Sequence, residues 1–299
     1  VIAVAGASGY IGGLLCLRLR EKGETVRALA RNPQASPHLA ILGCEVHRAD
    51  VLERDSLPAA LEGVDTAYYL VHSMGRGAAG DFASRDRAGA ENFASVAAAA
   101  GVRRIVYLGG LGEGSEHLDS RHATARVLGS AGVPLTYFRA AAVIGADSES
   151  FRTVLHLVRR LPVMVTPRWV STRTQPIAID DVLDYLLAAA DLRAPLEREI
   201  EIGGPDVTTY GGVIDETARA MGRRPPLRVS VPVLTPWLSS LWIGLVTPVD
   251  AGVARPLIEG LAIETVVSDP SGMSLFEVEP MPLPAALRSA LAESGPRSA

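Results

Sequence analysis

The first 23 residues, VIAVAGASGYIGGLLCLRLREKG, constrain the fold more than any other stretch. Val1 to Ala5 is a short apolar, β-branched run, the composition of a strand buried on both faces of a parallel sheet. Gly6-Ala7-Ser8-Gly9-Tyr10-Ile11-Gly12 turns the chain, and Ile11, Leu14, Leu15 and Leu19 then fall on one helical stripe that Gly23 closes. Each glycine answers a physical demand. Gly6 permits the tight strand-to-helix turn, Gly9 lets a pyrophosphate approach the backbone, and Gly12 lets the helix pack against the strand. The helix start offers free N–H groups and the positive end of its dipole, so the stretch points to dinucleotide binding.

Downstream, short apolar runs alternate with helical patterns. Strands are expected at Thr25 to Ala30, Glu45 to Ala49, Ala67 to Val71, Arg104 to Leu108 and Pro134 to Arg139. Long helices are expected at about Asp81 to Ala100 and Glu116 to Leu128. This alternation predicts an α/β fold, a doubly wound parallel (Rossmann) sheet over residues 1–150, with a smaller substrate-binding C-terminal region over 151–299. In the second region helices are expected near Ser150 to Arg160, Asp180 to Ala190 and Tyr210 to Met221, with a strand at Glu199 to Ile202. The proline-rich remainder from Pro225 is expected to end in a frayed tail.

Composition narrows the class. Hydrophobic content of 48% against 21% charged is that of a folded globular chain, and a net charge of −4 gives no electrostatic case for nucleic acid. Cys16 and Cys44 make neither a CxxC nor a zinc spacing, which fits a reducing, cytoplasmic setting. No secretory signal pattern is legible in a sequence that begins at Val1 without Met. HExxH, paired-carboxylate and Gly-x-Ser-x-Gly patterns do not occur, so metal and serine hydrolysis have no support. The uncharged stretch Val229 to Val249 reaches the length of a membrane span, but Pro232, Pro236 and Pro248 interrupt it. Its readings are a buried or subunit-facing helix in a homo-oligomer, peripheral membrane contact, or a span; Leu238, Leu241, Trp242 and Leu245 would form its stripe.

GASGYIGG, VRALARNP, Asp50-Val51 and QPIAIDDV resemble the atypical short-chain dehydrogenase/reductases, and more narrowly their NAD(P)H-binding, NmrA-like group. LPVMVTPRWVSTRTQPIAIDDV and LSSLWIGLVTPV are similar to an actinobacterial-type subgroup, in which a further C-terminal domain often follows; these 299 residues leave no room for it. The resemblance implies that Gly6, Gly9 and Gly12 form the phosphate turn, with Ser8, Tyr10 and Ile11 supplying N–H groups. It places Asp50 and Val51 at the adenine edge and Leu70, Val71 and His72 beside the nicotinamide ribose. Where an acidic residue would hold both ribose hydroxyls, this chain has Ala30-Arg31, a cation suited to the 2′-phosphate of NADP(H).

The catalytic pattern departs from the family. Its members carry a Ser after the fifth strand and Tyr-x-x-x-Lys on the next helix; here Gly109-Gly110-Leu111 has no hydroxyl and the helix no tyrosine. Two pairs keep the spacing, His117-x-x-x-Arg121 and His122-x-x-x-Arg126, and they lie roughly 140° apart on a helix, so one faces the nicotinamide. His117 and Arg121 flank the apolar stripe of Leu118, Ala125 and Leu128 and are the favoured pair. In that reading His117 donates a proton as imidazolium and Arg121 orients the ribose. Ser171, Thr172, Arg173 and Gln175 are candidate pocket residues, and Asp180 or Asp181 a helix cap; Trp169 and Tyr137 are candidate walls, although core packing is the commoner fate of such aromatics. The expected function is an NADP(H)-dependent oxidoreductase acting on a small carbonyl or unsaturated substrate; the alternative is an NADP(H)-binding sensor or scaffold without turnover.

Overall fold

The computed structural model describes residues 1–72, 82–166, 168–230 and 261–294. Seven strands form one parallel sheet: β1 (Ile2–Ala5), β2 (Val26–Ala30), β3 (Glu45–Arg48), β4 (Thr66–Tyr69), β5 (Arg104–Gly110), β6 (Leu135–Ala140) and β11 (Arg198–Ile202). Their order is β11-β6-β5-β4-β1-β2-β3, so the chain reverses direction across the sheet between β1 and β4. Loops leaving the carboxyl ends of those two strands open a crevice there, the place where doubly wound sheets bind ligands.

Helices α1 (Tyr10–Glu21) and α7 (Ile179–Asp191) cover one face; α4 (Phe82–Ala99) and α5 (Glu116–Gly129) cover the other. Short α2 (Pro37–Ile41) and α3 (Pro58–Leu61) fill connections. Alternation along the strands divides the core. Ile2, Val4, Tyr68, Val106 and Phe138 face α1 and α7, whereas Ala3, Ala5, Tyr69, Tyr107 and Tyr137 face the other layer. Two polar ties fix α7 to the sheet. The Tyr68 hydroxyl donates to the Leu186 carbonyl at 2.7 Å. The buried Arg104 guanidinium donates to the carbonyls of Ala189, Ala190 and Leu192 at 2.7–3.2 Å, satisfying a helix end that would otherwise leave acceptors unpaired.

The second half builds α6 (Glu149–Arg160), α8 (Tyr210–Ala220) and α9 (Leu283–Glu293), with two-residue strands β7 (Val143–Ile144), β9 (Arg173–Thr174), β10 (Ile177–Ala178) and β12 (Thr208–Thr209). A parallel ribbon pairs β8 (Val163–Thr166) with β13 (Leu227–Ser230). The large sheet thus takes its edge strand β11 and its cover α7 from beyond residue 150.

The expected frayed tail is corrected in part: α9 packs Leu283, Ala286, Leu287 and Ala290 against Ile144, Phe151 and Val213. Its signal was the apolar spacing at three and four residues behind Pro282, hidden by the proline count of the region. Neither Asp180 nor Asp181 is the N-cap residue of α7, although Asp181 in its first turn accepts from the backbone N–H of the N-cap residue Ala178. Ala178 precedes α7 without a side-chain cap, Asp180 pairs with Arg18 at 2.7 Å, and Asp181 accepts from the Met281 amide at 2.8 Å. The stripe Leu238, Leu241, Trp242 and Leu245 lies outside the described residues, as does the Trp169 side chain. No helix among the described residues is long and apolar enough to cross a membrane, and no cluster of His, Cys, Asp or Glu among them could hold a metal.

Candidate active site

The glycine turn is a cradle that β-carbons would fill. A Cβ on Gly6, whose φ is +86°, would lie 2.5 Å from the Leu70 carbonyl oxygen, and one on Gly12 would lie 2.3 Å from that of Gly6. Gly9 starts α1 with no side-chain cap, and its first turn carries no acid. The N–H groups there, Tyr10 and Ile11 included, are left for an anion.

From this turn a single cavity of about 810 Å³ extends across the carboxyl ends of the strands. Its walls include every residue assigned to the cofactor from sequence: Gly6, Ser8, Gly9, Tyr10, Ile11, Gly12, Arg31, Asp50, Val51, Leu70, Val71 and His72. Arg31 stands exposed at the end of β2. Asp50 is held in place at the end of β3: its carboxylate accepts from the Leu52 amide at 3.0 Å, and its own amide donates to Ser56 Oγ at 2.9 Å. The Val51 carbonyl accepts from Asn92 Nδ2 at 2.9 Å.

Across the cavity, α5 begins at Ser115, whose hydroxyl accepts from the Leu118 amide at 3.2 Å. His117 and Arg121 lie in the wall; His122 does not. Instead the His122 Nε2–H donates to the Gly112 carbonyl at 2.9 Å, leaving Nδ1 to accept from the Tyr137 hydroxyl at 3.0 Å. The helical phase thus separates the two histidines as their spacing requires.

The expectation that His117 acts as an imidazolium is corrected. Arg121 Nε donates to His117 Nε2 at 3.1 Å, and that nitrogen accepts only in the neutral ring. Burial, with the Arg121 charge beside it, lowers the His117 pKa to about 3. The first turn of a helix adds a further penalty on a cation. The proton therefore sits on Nδ1. Arg121 also points Nη1 to the Leu108 carbonyl at 3.4 Å, and the His72 ring lies edge-on to His117, centroids 6.5 Å apart.

The wall also includes apolar Ala142, Val143, Val154, Leu157, Val213 and Ile214, together with polar Asp147, Ser148, Glu149, Ser150 and Thr153. Of the two fates open to Tyr137, the structure takes the core: it is buried, stacks on Tyr107, and occupies the space where a Gly109 side chain would go. Ser171, Thr172, Arg173 and Gln175 are not in the cavity wall. Arg173 pairs with Glu264, while Gln175 bonds the Gly204 carbonyl and the Val267 amide. Residues missed from sequence include Arg85 and Asp86 on α4, and Tyr210 and Thr265. The only signal for the α4 pair was its position in a helix following β4.

Comparison with known proteins agrees with this architecture. Residues 6–146 match the model of a family described as NAD(P)H-binding. A 3β-hydroxysteroid dehydrogenase/Δ5→4-isomerase of Mycobacterium tuberculosis is 26% identical over 311 aligned positions, covering 90% of this chain and 81% of that one. The triphenylmethane reductase of Citrobacter sp., solved with NADP(H), superposes with a TM-score of 0.76 at 20% identity, covering 97% and 99% of the two chains. The NADPH-dependent quinone oxidoreductase of Escherichia coli, solved with NADPH, gives 0.75 at 18%, covering 96% and 98%. An NAD(P)H-binding family model thus matches the first half of the chain, and the whole chain shares the Rossmann-like α/β fold of reductases solved with NADP(H).

Proposed function

We propose that this chain is an NADP(H)-dependent oxidoreductase of the NmrA-like group that reduces a small, largely apolar carbonyl or unsaturated substrate. The observation that carries the reading is one continuous cavity, whose wall joins the glycine turn to His117 and Arg121 and to a set of apolar side chains on α6 and α8. The amides at the start of α1 hold the pyrophosphate and Arg31 takes the 2′-phosphate, where an acid would repel it. Asp50 and Val51 hold the adenine edge; Leu70, Val71 and His72 flank the nicotinamide ribose, with Arg121 opposite. The bound nicotinamide supplies a hydride.

His117 presents Nδ1–H to the substrate oxygen as a neutral hydrogen-bond donor and polarises it; as hydride adds to carbon, the oxygen takes its proton from water entering at the cavity mouth. Arg121 fixes the ring through Nε2 and keeps it neutral. The buried free thiols of Cys16 and Cys44 suit a reducing, cytoplasmic setting. The absence of a hydroxyl on Gly109 and Gly110 supports a second reading, a sensor that binds NADP(H) without turnover. Steady-state NADPH oxidation with a panel of aldehydes, ketones and quinones separates the two. Turnover that His117→Ala abolishes supports the enzyme, and tight NADPH binding with no turnover on any panel member supports the sensor.

A further inference from the structure

The ribbon of β8 and β13 carries an arrangement unrelated to the cavity chemistry. Arg159 and Arg160 close α6, and Leu161-Pro162 leads into β8; Arg223-Arg224-Pro225-Pro226 leads into β13. The two strands run parallel with Val163 opposite Leu227 and Val165 opposite Val229, so both arginine pairs reach the ribbon at the same end. The junction is fixed: Arg223 Nη1 donates to the Arg159 carbonyl at 3.1 Å, and the Leu227 amide to that of Pro162 at 3.0 Å.

Alternation then sorts the two faces of the ribbon. Met164 is buried against Ile214 and Ala218 of α8, and Arg228 pairs with Asp215 of the same helix. On the opposite face Val163 is 50% exposed, Leu227 72% and Val229 53%. Arg152, exposed on α6, adds to the basic end. Burial together with the charges of Arg160, Arg152 and Arg159 holds the His156 pKa down, a sign of a positive local field. The nearby acids of α8 are matched, Asp215 by Arg228 and Glu216 by Arg219. A chain of net charge −4 thus concentrates arginines at one end of an exposed aliphatic ridge. Past the ridge the sequence continues without charge to Val249 and includes Trp237 and Trp242.

We propose that this face docks the protein on an anionic phospholipid surface, the arginines taking lipid phosphates and the ridge entering the headgroup boundary. Guanidinium groups match phosphate oxygens, and attachment of this kind needs a basic patch and an apolar insertion together. A nucleic acid would satisfy the charges but leave the ridge in water. A second copy docked through the same face would bring like charges together across its twofold axis.

The test is flotation of the full-length protein with vesicles of phosphatidylcholine alone or mixed equally with phosphatidylglycerol. Binding is expected on the mixed vesicles. It should weaken as ionic strength rises from about 0.1 to about 1 M, which shortens the Debye length from about 10 to about 3 Å. R159Q/R160Q/R223Q/R224Q should lower the partition coefficient at least about 100-fold, at roughly five-fold per cation. R152Q/R224Q, which removes none of the bonds described above, should lower it about 25-fold on the same scale. L227S/V229S should lower it about ten-fold through lost apolar insertion.

NADPH affinity, unchanged in all three variants, reports folding independently of the docking. The proposal is overturned if the parent does not float, if it floats equally on phosphatidylcholine alone, or if the folded arginine variants float like the parent. Tighter binding to duplex DNA than to the mixed vesicles would overturn it in favour of a nucleic-acid face. A dimer that L227S/V229S dissolves without changing flotation would make the ridge a subunit interface and also overturn it.

Discussion

Gly12 and Gly13 are neighbours in the first turns of α1, and the structure assigns them opposite fates on gaining a methyl group. A Cβ on Gly12 meets only backbone: the Gly6 carbonyl oxygen at 2.3 Å, its carbon at 2.8 Å and Ala7 Cα at 3.0 Å. None of these is a flexible side-chain end. Ordinary contact begins near 3.4 Å, so α1 must withdraw from the turn by about 1 Å. Overpacking of this kind costs about 1–3 kcal/mol, partly offset by a helix-propensity gain of up to about 1 kcal/mol for Gly→Ala. On Gly13 the same methyl meets the Ala7 carbonyl at 3.5 Å and His38 Nε2 at 4.0 Å, so the propensity gain stands alone. Gly12→Ala should therefore melt below Gly13→Ala by about 2–12 °C, using about 2–4 °C per kcal/mol for a large domain.

The same 1 Å displacement moves the N–H groups that would bind phosphate. Losing one charge-assisted bond costs about 1.5–3 kcal/mol, so NADPH affinity should fall about 10- to 150-fold in Gly12→Ala and stay near parental in Gly13→Ala. Circular-dichroism melts and calorimetric titration read the two effects separately. If Gly12→Ala melts with or above Gly13→Ala and binds NADPH like the parent, the close approach of helix and turn is not what positions the phosphate site.

Arg31→Ala should reduce NADPH affinity by about 10- to 150-fold and leave NADH affinity nearly unchanged, which titration of both cofactors checks. Given a substrate, His117→Ala should lower turnover by about 10²- to 10³-fold, the loss of one preorganised hydrogen-bond donor, and His122→Ala should do little; equal effects would refute the assignment of faces. Because the His117 pKa lies near 3, the pH–rate profile should show no imidazolium limb between pH 5 and 8. The same shift acts on stability. Between about pH 3 and 6.5 the unfolded chain binds the extra proton, so this contribution is complete above about 6.5 and is lost as pH falls toward 3. His117→Gln should flatten that acid-side slope in urea titrations run across the window.

What the sequence determined by itself was local. The glycine turn was readable because a backbone that must approach a helix and an anion tolerates no Cβ at Gly6 or Gly12. The central strands β1, β4 and β5 were readable because burial on both faces favours apolar runs, and the residues at their carboxyl ends then had to face one crevice. The choice of His117 over His122 followed from helical phase against the stripe of Leu118, Ala125 and Leu128, all buried. The tertiary structure decided burial and whatever depended on partners far along the chain. The Arg121 charge one turn from His117 was legible in the helical spacing, but the burial that holds the ring neutral comes only with the fold. Gln175 and Arg173 looked like pocket residues until residues 264–267 arrived to take their hydrogen bonds. Tyr137 became core because Gly109 leaves its ring a place. Sequence spacing fixes which residues share a face; charge state and hydrogen-bond partners are set by neighbours that only the folded chain supplies.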